Sequence, residues 1–277
     1  MTLGRKLGEG GTSEVFEWEG STNKIIKLAK PNATLSDLQR ELKNNQIVWE
    51  LGISVPEAFE IVQVNNRPGI IFERVYGETI KERLFTQLAK KIDKGEPILD
   101  LVDVRNIARL LSKLHQLTHP EMPQQREYLT RQILRVNYLS EIEKQSVIDH
   151  LAHLPVNNKI CHGDPNPNNV ILKDGELVLI DWNDASIGSP EADIAEFIVM
   201  IKFAVLPPNT PKQIVHNFDS NREIIIRVFM DEYTLHTGMN CNDMEPWIVP
   251  IAARKLSADA ISEKEKQLLV NEIRKRL

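Results

Sequence analysis

From Ile160 to Ile171 the chain reads Ile-Cys-His-Gly-Asp-Pro-Asn-Pro-Asn-Asn-Val-Ile, and its side chains are spaced for chemistry. The carboxylate of Asp164 is followed five positions later by the carboxamide of Asn169, and Pro165 and Pro167 fix φ in the loop between them. A second carboxylate, Asp181, closes the next apolar run, Leu177-Val178-Leu179-Ile180. Asp174-Gly175 precedes that run. Both residue types accept positive φ, so a tight hairpin is expected to fold Asp181 back towards Asp164 and Asn169. One acid to orient a hydroxyl, with an amide and an acid to hold Mg²⁺, is the polar set that phosphoryl transfer needs. Asp, Asn, Gly and Pro also gather in loops simply because they make turns. Spacing, hairpin and later acid together favour the chemical reading, which demands a glycine loop for ATP and a strand lysine upstream.

Both stand there. Lys6–Phe16 reads as strand, glycine-rich turn, strand, with Gly8 and Gly10 letting backbone amides approach a phosphate unobstructed by Cβ. Ser13 stands where a third glycine is often found, giving a bulkier loop with a hydroxyl available. A strand rather than a helix follows. That argues against a dinucleotide-binding or Walker-type loop and matches the kinase-type loop that covers ATP. The next strand, Lys24–Leu28, puts Ile25 and Lys27 on one face. Lys27 is the candidate for the α- and β-phosphates and Ile25 for a wall of the adenine slot. Lys24 and Lys30 compete for the first role, and register favours Lys27. A helix is expected over Leu35–Leu51, with Leu35, Leu38, Leu42 and Trp49 as its apolar stripe. Glu41 lies beside that stripe, where it would pair with Lys27, and Glu50 is the alternative partner.

Stepping outward, Ala58–Val64 and Gly69–Glu73 are expected to pair around Asn65-Asn66-Arg67-Pro68. The second strand runs into Arg74-Val75-Tyr76-Gly77, a hinge whose backbone from Glu73 to Val75 would serve the adenine edge. The expected organisation is α+β, with a small nucleotide-binding lobe over 1–75 and a larger helical lobe over 76–277 carrying the catalytic loop and acceptor site. Helices are expected over Thr79–Lys94, after Asp100 as a cap, within 126–154, from Pro190, and over 222–236, 247–256 and 263–277. His115 reads as a hydrogen-bonded core histidine. His150 and His153 lie three apart without a third ligand, so no metal site is expected there. Asp193 would compensate a helix dipole or brace the Asp164 loop through backbone N–H groups, and the two roles are compatible.

The 277 residues carry a formal charge of −5, with 42% hydrophobic and 26% charged content, ordinary for a globular protein. That balance gives no electrostatic footprint for nucleic acid or an anionic membrane and suits a cationic small substrate. Two cysteines, Cys161 and Cys241, lack metal-ligand spacing and suggest no disulfide framework. The N-terminus leads into no apolar signal segment and no run is long enough to span a bilayer, so a cytoplasmic enzyme is expected.

With these residues in place, the chain resembles the aminoglycoside phosphotransferase and choline kinase family, within the protein-kinase-like fold. The resemblance runs through the Gly8-x-Gly10 loop, Lys27, Glu41, His162-Gly163-Asp164 with Asn169, Ile180-Asp181-Trp182, and Gly188-x-Pro190-x-x-Asp193. It implies that Asp164 positions or deprotonates an acceptor hydroxyl, that Asn169 and Asp181 bind Mg²⁺, and that Lys27, held by Glu41, grips the phosphates of ATP. His162 would be a structural brace, and Gly163 occupies the position where protein kinases usually carry arginine. The expected activity moves the γ-phosphate of ATP to a hydroxyl of a small, amine-bearing acceptor, such as an aminoglycoside or amino alcohol. A compact protein kinase and a catalytically silent nucleotide-binding protein are the alternatives. Only eight residues lie between Asp181 and Pro190, too few for a long activation segment with a peptide platform.

Overall fold

Strand β3 (Lys24–Ala29) sends alternate side chains into two apolar layers, and the first unit of the protein is built around that alternation. The computed structural model describes residues 3–18, 21–94, 100–258 and 261–277. They fall into two units, Met1–Glu78 with Asn169–Ala185, and Thr79–Asn168 with Ser186–Leu277.

In the first unit β1 (Leu3–Glu9), β2 (Ser13–Trp18), β3, β4 (Ala58–Val64) and β5 (Arg67–Glu73) form an antiparallel sheet of order β1-β2-β3-β5-β4. One face carries Ile26, Leu28 and Val64, backed by Phe16 and Trp18. The other carries Ala29, Ile70 and Phe72, with Ile25 packed beside them, and meets Leu38 and Leu42 of α1 (Leu35–Glu50). Thr34 starts that helix through a capping box with Asp37, each side chain accepting the other's backbone N–H. The β4–β5 turn is tighter than the four residues expected. Asn65 and Asn66 alone make it, both at positive φ (51° and 64°), and Arg67 and Pro68 belong to the strand. The Asp174-Gly175 hairpin forms as expected, with φ of 51° and 89°, joining strands Val170–Lys173 and Glu176–Leu179.

The apolar stripe assigned to α1 needs correction. Leu35 and Trp49 are about half exposed, at 47% and 48%, whereas Glu41, Asn44 and Asn45 are buried. The inward face is partly polar because it supplies partners to groups elsewhere in the unit, as described below.

The second unit is helical: α2 (Ile80–Lys94), α3 (Val102–Leu114), α4 (Gln125–Leu134), α5 (Glu141–His153), α6 (Pro190–Phe203), α7 (Lys212–Thr237), α8 (Cys241–Met244), α9 (Ile248–Lys255) and α10 (Glu263–Arg276). One core of this unit joins α4, α5, α6, α9 and α10 through Ile133, Val147, Leu151, Val199, Ala252 and Leu269. Phe197 of α6 stacks on Phe229 of α7 with ring centroids 3.9 Å apart. Helix α7 begins ten residues before the expected Arg222, at Lys212, and its first ten residues include none that is fully buried. The N-cap of α3 is Leu101 rather than the expected Asp100, which lies one residue earlier and accepts the Val102 N–H with its Oδ1 at 3.0 Å. A short antiparallel pair, Lys159–Cys161 with Ser186–Gly188, brings the entry to the Asp164 loop beside the start of α6. A Cβ at Gly188 would lie 2.3 Å from Oε1 of Gln125, the atom that accepts the Ser189 N–H. Among the described residues, no helix is long and apolar enough to cross a membrane.

Candidate active site

Lys27 is the centre of the polar cluster in the first unit. Its Nζ donates to Oε1 of Glu41 at 2.6 Å and to Oδ1 of Asp181 at 2.8 Å, and its side chain is 14% exposed. The competing lysines are occupied elsewhere: Lys24 lies over the Phe59 ring, and Lys30 pairs with Glu9. Glu50, the alternative partner, is exposed. Burial disfavours the Lys27 charge, but Asp181 and Glu41 outweigh it and hold the ammonium protonated well above its ordinary range. Glu41 bears the opposite pressure: burial, with the nearby Asp181, pushes its carboxyl up to about 7 against the pull of Lys27.

Asp181 adopts the left-handed region, φ 67° and ψ 69°, a conformation that costs a non-glycine residue about 1–3 kcal/mol. The loop after it is tied to α1. Asn44 Nδ2 donates to the carbonyls of Trp182 and Ala185 at 3.0 and 3.2 Å, and Arg40 donates to the Asn183 carbonyl and side chain, each at 3.1 Å. Trp182, fully buried, fixes the same loop by packing. Asn169 is buried, and its carbonyl accepts the Ile180 N–H at 2.9 Å, so the Asn169 and Asp181 backbones are adjacent across the hairpin's open end. Both side chains offer oxygen, the donor that Mg²⁺ prefers, and Asp181 is 43% exposed.

Gly8 lies near the end of β1, paired with Val15, and Gly10 in the β1–β2 turn. A Cβ at Gly8 would meet nothing within 4 Å, one at Gly10 nothing closer than 3.9 Å, and neither residue has positive φ. Neither glycine is demanded by packing or backbone conformation. Ser13 opens β2 opposite Ala29 and is itself buried, while Gly10, Gly11 and Thr12 form the exposed turn. Glu73 ends β5, its N–H donating to the Glu57 carbonyl and its Oε1 lying 3.3 Å from Lys173 Nζ. Glu73 and Val75 line a cavity of about 260 Å³ together with Ser54, Lys173 and Val178.

Asp164 belongs to the second unit and is half-buried. Its Oδ2 accepts from Asn166 Nδ2 at 2.9 Å, its carbonyl from the Asn166 N–H at 2.8 Å, and its N–H donates to Nδ1 of His162 at 3.3 Å. The turn before it depends on Gly163 at φ 84°. Asp193 holds that turn from the first turn of α6, its two carboxylate oxygens accepting the His162 and Gly163 N–H groups at 2.6 and 2.8 Å. His115 Nε2 lies 3.1 Å from Asp193 and its Nδ1 2.7 Å from the Tyr233 hydroxyl. Burial works to raise the Asp193 carboxyl, but its bond to His115, with the His162 and Gly163 neighbours, outweighs that and keeps it below the usual carboxylate range.

Residues 4–209 match the phosphotransferase enzyme family (APH). The chain belongs to that family. Solved structures agree on the protein-kinase-like fold. A thermostable mutant of aminoglycoside phosphotransferase APH(4)-Ia is 15% identical, with 99% of this chain and 93% of that one covered at a TM-score of 0.63. Aminoglycoside phosphotransferase APH(3'')-Id from Streptomyces rimosus, in complex with ADP and streptomycin, is 15% identical over 87% and 90% of the two chains, at 0.57. An amicoumacin kinase in complex with AMP-PNP is 14% identical over 98% and 88%, at 0.52. No curated protein sequence matches the chain.

In this phosphotransferase several supporting residues escape sequence reasoning. Asn44 and Arg40 look like ordinary polar positions on a helix, because their partners lie 138 to 143 residues away. Signals existed only in part: Asn44 and Asn45 interrupt the apolar stripe where it should be continuous. His115, Cys161 and Asp193 offer ligand atoms within 4.8 Å of one another. They read as a brace, since His115 and Asp193 are engaged as above and burial pushes the Cys161 thiol up, away from the thiolate a metal needs.

Proposed function

We propose that the protein transfers the γ-phosphate of ATP to a hydroxyl of a small acceptor. The observation that carries this is the buried Lys27 ammonium clamped between Glu41 and Asp181. A free structural ion pair would need one carboxylate; a second, more exposed one beside the same lysine suits a site that receives phosphates and a cation. Gly8 and Gly10 support the reading, since neither packing nor φ requires them and phosphate approach does. In the proposed arrangement Lys27 grips the α- and β-phosphates and Glu41 fixes Lys27. Ile25 and the backbone of Glu73 and Val75 receive the adenine, with Gly8, Gly10 and the Ser13 end of the turn over the phosphates. Asn169 and Asp181 hold Mg²⁺, which would neutralise charge developing on the transferring group.

Asp164 is assigned the acceptor hydroxyl, orienting it and taking its proton as the oxygen attacks. Only four residues separate it from Asn169 in the chain. Asp193 and Gly163 fix the loop that presents it. For an amine-bearing acceptor, Glu191 and Asp184 are the proposed partners, and Oε2 of Glu191 is buried without a hydrogen-bond partner among the described residues. The relatives crystallised with ADP and streptomycin, or with AMP-PNP and hygromycin B, support a nucleotide and a small-molecule acceptor.

A coupled ADP-release screen over hydroxylated amines and sugars tests this reading. ATP consumption that requires both Mg²⁺ and one acceptor is expected. Calorimetry finding no binding of ATP in the presence of Mg²⁺ would overturn it.

A further inference from the structure

A cavity of about 350 Å³ lies wholly within the second unit, bordered by the catalytic loop. Its walls are apolar: Phe85 and Leu88 from α2, Met200 and Val205 at the end of α6, Phe218 and Ile225 from α7. Asn166 and Asn168 form the edge on the loop side, and Asn166 is the residue whose Nδ2 donates to Asp164 Oδ2 at 2.9 Å. One side chain therefore touches both the cavity and the carboxylate assigned to the acceptor hydroxyl. The wall at the end of α6 is held in place, because the Arg222 guanidinium on α7 donates to the Ile201 and Ala204 carbonyls and lies over the Phe218 ring at 4.4 Å. Volume, apolar walls and a few convergent amides are the usual make-up of a small-ligand site.

The charge of the lining narrows what fits. Among the described residues no carboxylate lines the cavity, and Lys81 is the one ionisable group there. A polycationic ring seated here would lose hydration and gain no counter-charge. We propose that this cavity houses the apolar body of the acceptor, so that the enzyme selects alcohols carrying an alkyl or aryl group over polycationic aminoglycosides. The assignment rests on the phosphotransferase reading above and specifies the acceptor of that same site. Any ammonium on the acceptor stays outside the cavity, and the amides of Asn166, Asn168 and Asn221 meet its uncharged polar groups.

Paired acceptors test it. ADP release is measured with phenylalaninol against ethanolamine, octyl glucoside against methyl glucoside, and streptomycin alone. In each pair the reacting functional groups match and only the apolar body differs. The expected result is a kcat/KM at least about tenfold higher for the apolar-bodied member of a pair, as burial of one such group implies, with streptomycin below it. Val205→Asp and Phe218→Ala, both at half-buried positions, should each erase that preference while ATP–Mg²⁺ binding by calorimetry stays within about twofold of wild type. Equal kcat/KM within both pairs, no turnover of either apolar-bodied alcohol while ATP–Mg²⁺ binds, or streptomycin as the best acceptor would overturn the cavity assignment. Absence of ATP–Mg²⁺ binding would instead defeat the underlying reading, and this inference with it.

Discussion

The Lys27 ammonium lies 2.8 Å from Oδ1 of Asp181, a carboxylate 154 residues further along the chain. With Glu41 at 2.6 Å on the same nitrogen, one cation serves two acids, one buried and one partly exposed. In the proposed arrangement the lysine has two jobs that a mutation can tell apart, holding the fold together and holding a nucleotide.

Lys27→Met leaves Glu41 buried without its cation and should cost about 3–5 kcal/mol of stability. The double variant Lys27→Met/Glu41→Leu replaces the pair with apolar volume and should recover most of that loss. Its affinity for ATP–Mg²⁺ should stay weakened. Urea unfolding and calorimetry on the three proteins check both halves, and wild-type ATP affinity in the double variant would remove Lys27 from the phosphate site.

The pH dependence of the same pair has a definite sign. The Glu41 carboxyl sits at about 7 in the folded protein against 4.5 for the free side chain. Between those values the folded state keeps a proton the unfolded chain has released, so this group's contribution to stability falls as pH rises from about 4.5 to 7 and is level above. Asp181→Asn removes a neighbouring negative charge and should lower the Glu41 midpoint. Carbon-detected NMR titration of the nucleotide-free protein measures it; a wild-type midpoint near 4.5 would contradict the assignment.

Much of this arrangement was legible from the sequence, and the part that was not has a common cause. The Asp174-Gly175 hairpin announces itself because its positive φ values are a local property of two residues. The alternation that puts Lys27 on the face of Ile25 is equally local. Helix α1 lies where it is expected, but its buried face departs from the apolar stripe because distant partners choose it: Glu41 faces Lys27, and Asn44 faces the carbonyls of Trp182 and Ala185. Apolar periodicity cannot register a polar residue whose burial is justified by a backbone carbonyl brought there by folding. The turn before Gly69 is shorter than the four residues expected because Arg67 and Pro68 extend β5 against β4, and Pro68 is tolerated there since it lies beyond the stretch of β5 that pairs with β3.

Asn44→Leu tests that hidden contribution. It removes two donated bonds at a position only 1% exposed and should cost about 1–3 kcal/mol. By loosening the loop after Asp181 it should also shift the Mg²⁺ dependence of nucleotide binding to higher concentration. Unfolding and metal titrations on the variant measure the two effects, and an unchanged Mg²⁺ titration would make Asn44 a purely structural residue.

Asp193→Asn keeps the shape of the brace but leaves only one oxygen for the His162 and Gly163 N–H groups. The stability loss should be about 1–3 kcal/mol. Because the bonds fix the turn presenting Asp164, kcat should fall while ATP–Mg²⁺ affinity is retained. Steady-state kinetics beside calorimetry decides whether the two quantities separate in this way.

The most direct test of phosphoryl transfer is the ADP-release rate of Asp164→Asn with saturating ATP, Mg²⁺ and acceptor. The proposed role predicts a rate at least about 10²-fold below wild type, the scale of a lost general base, with ATP–Mg²⁺ still bound. A variant turning over at the wild-type rate would contradict it.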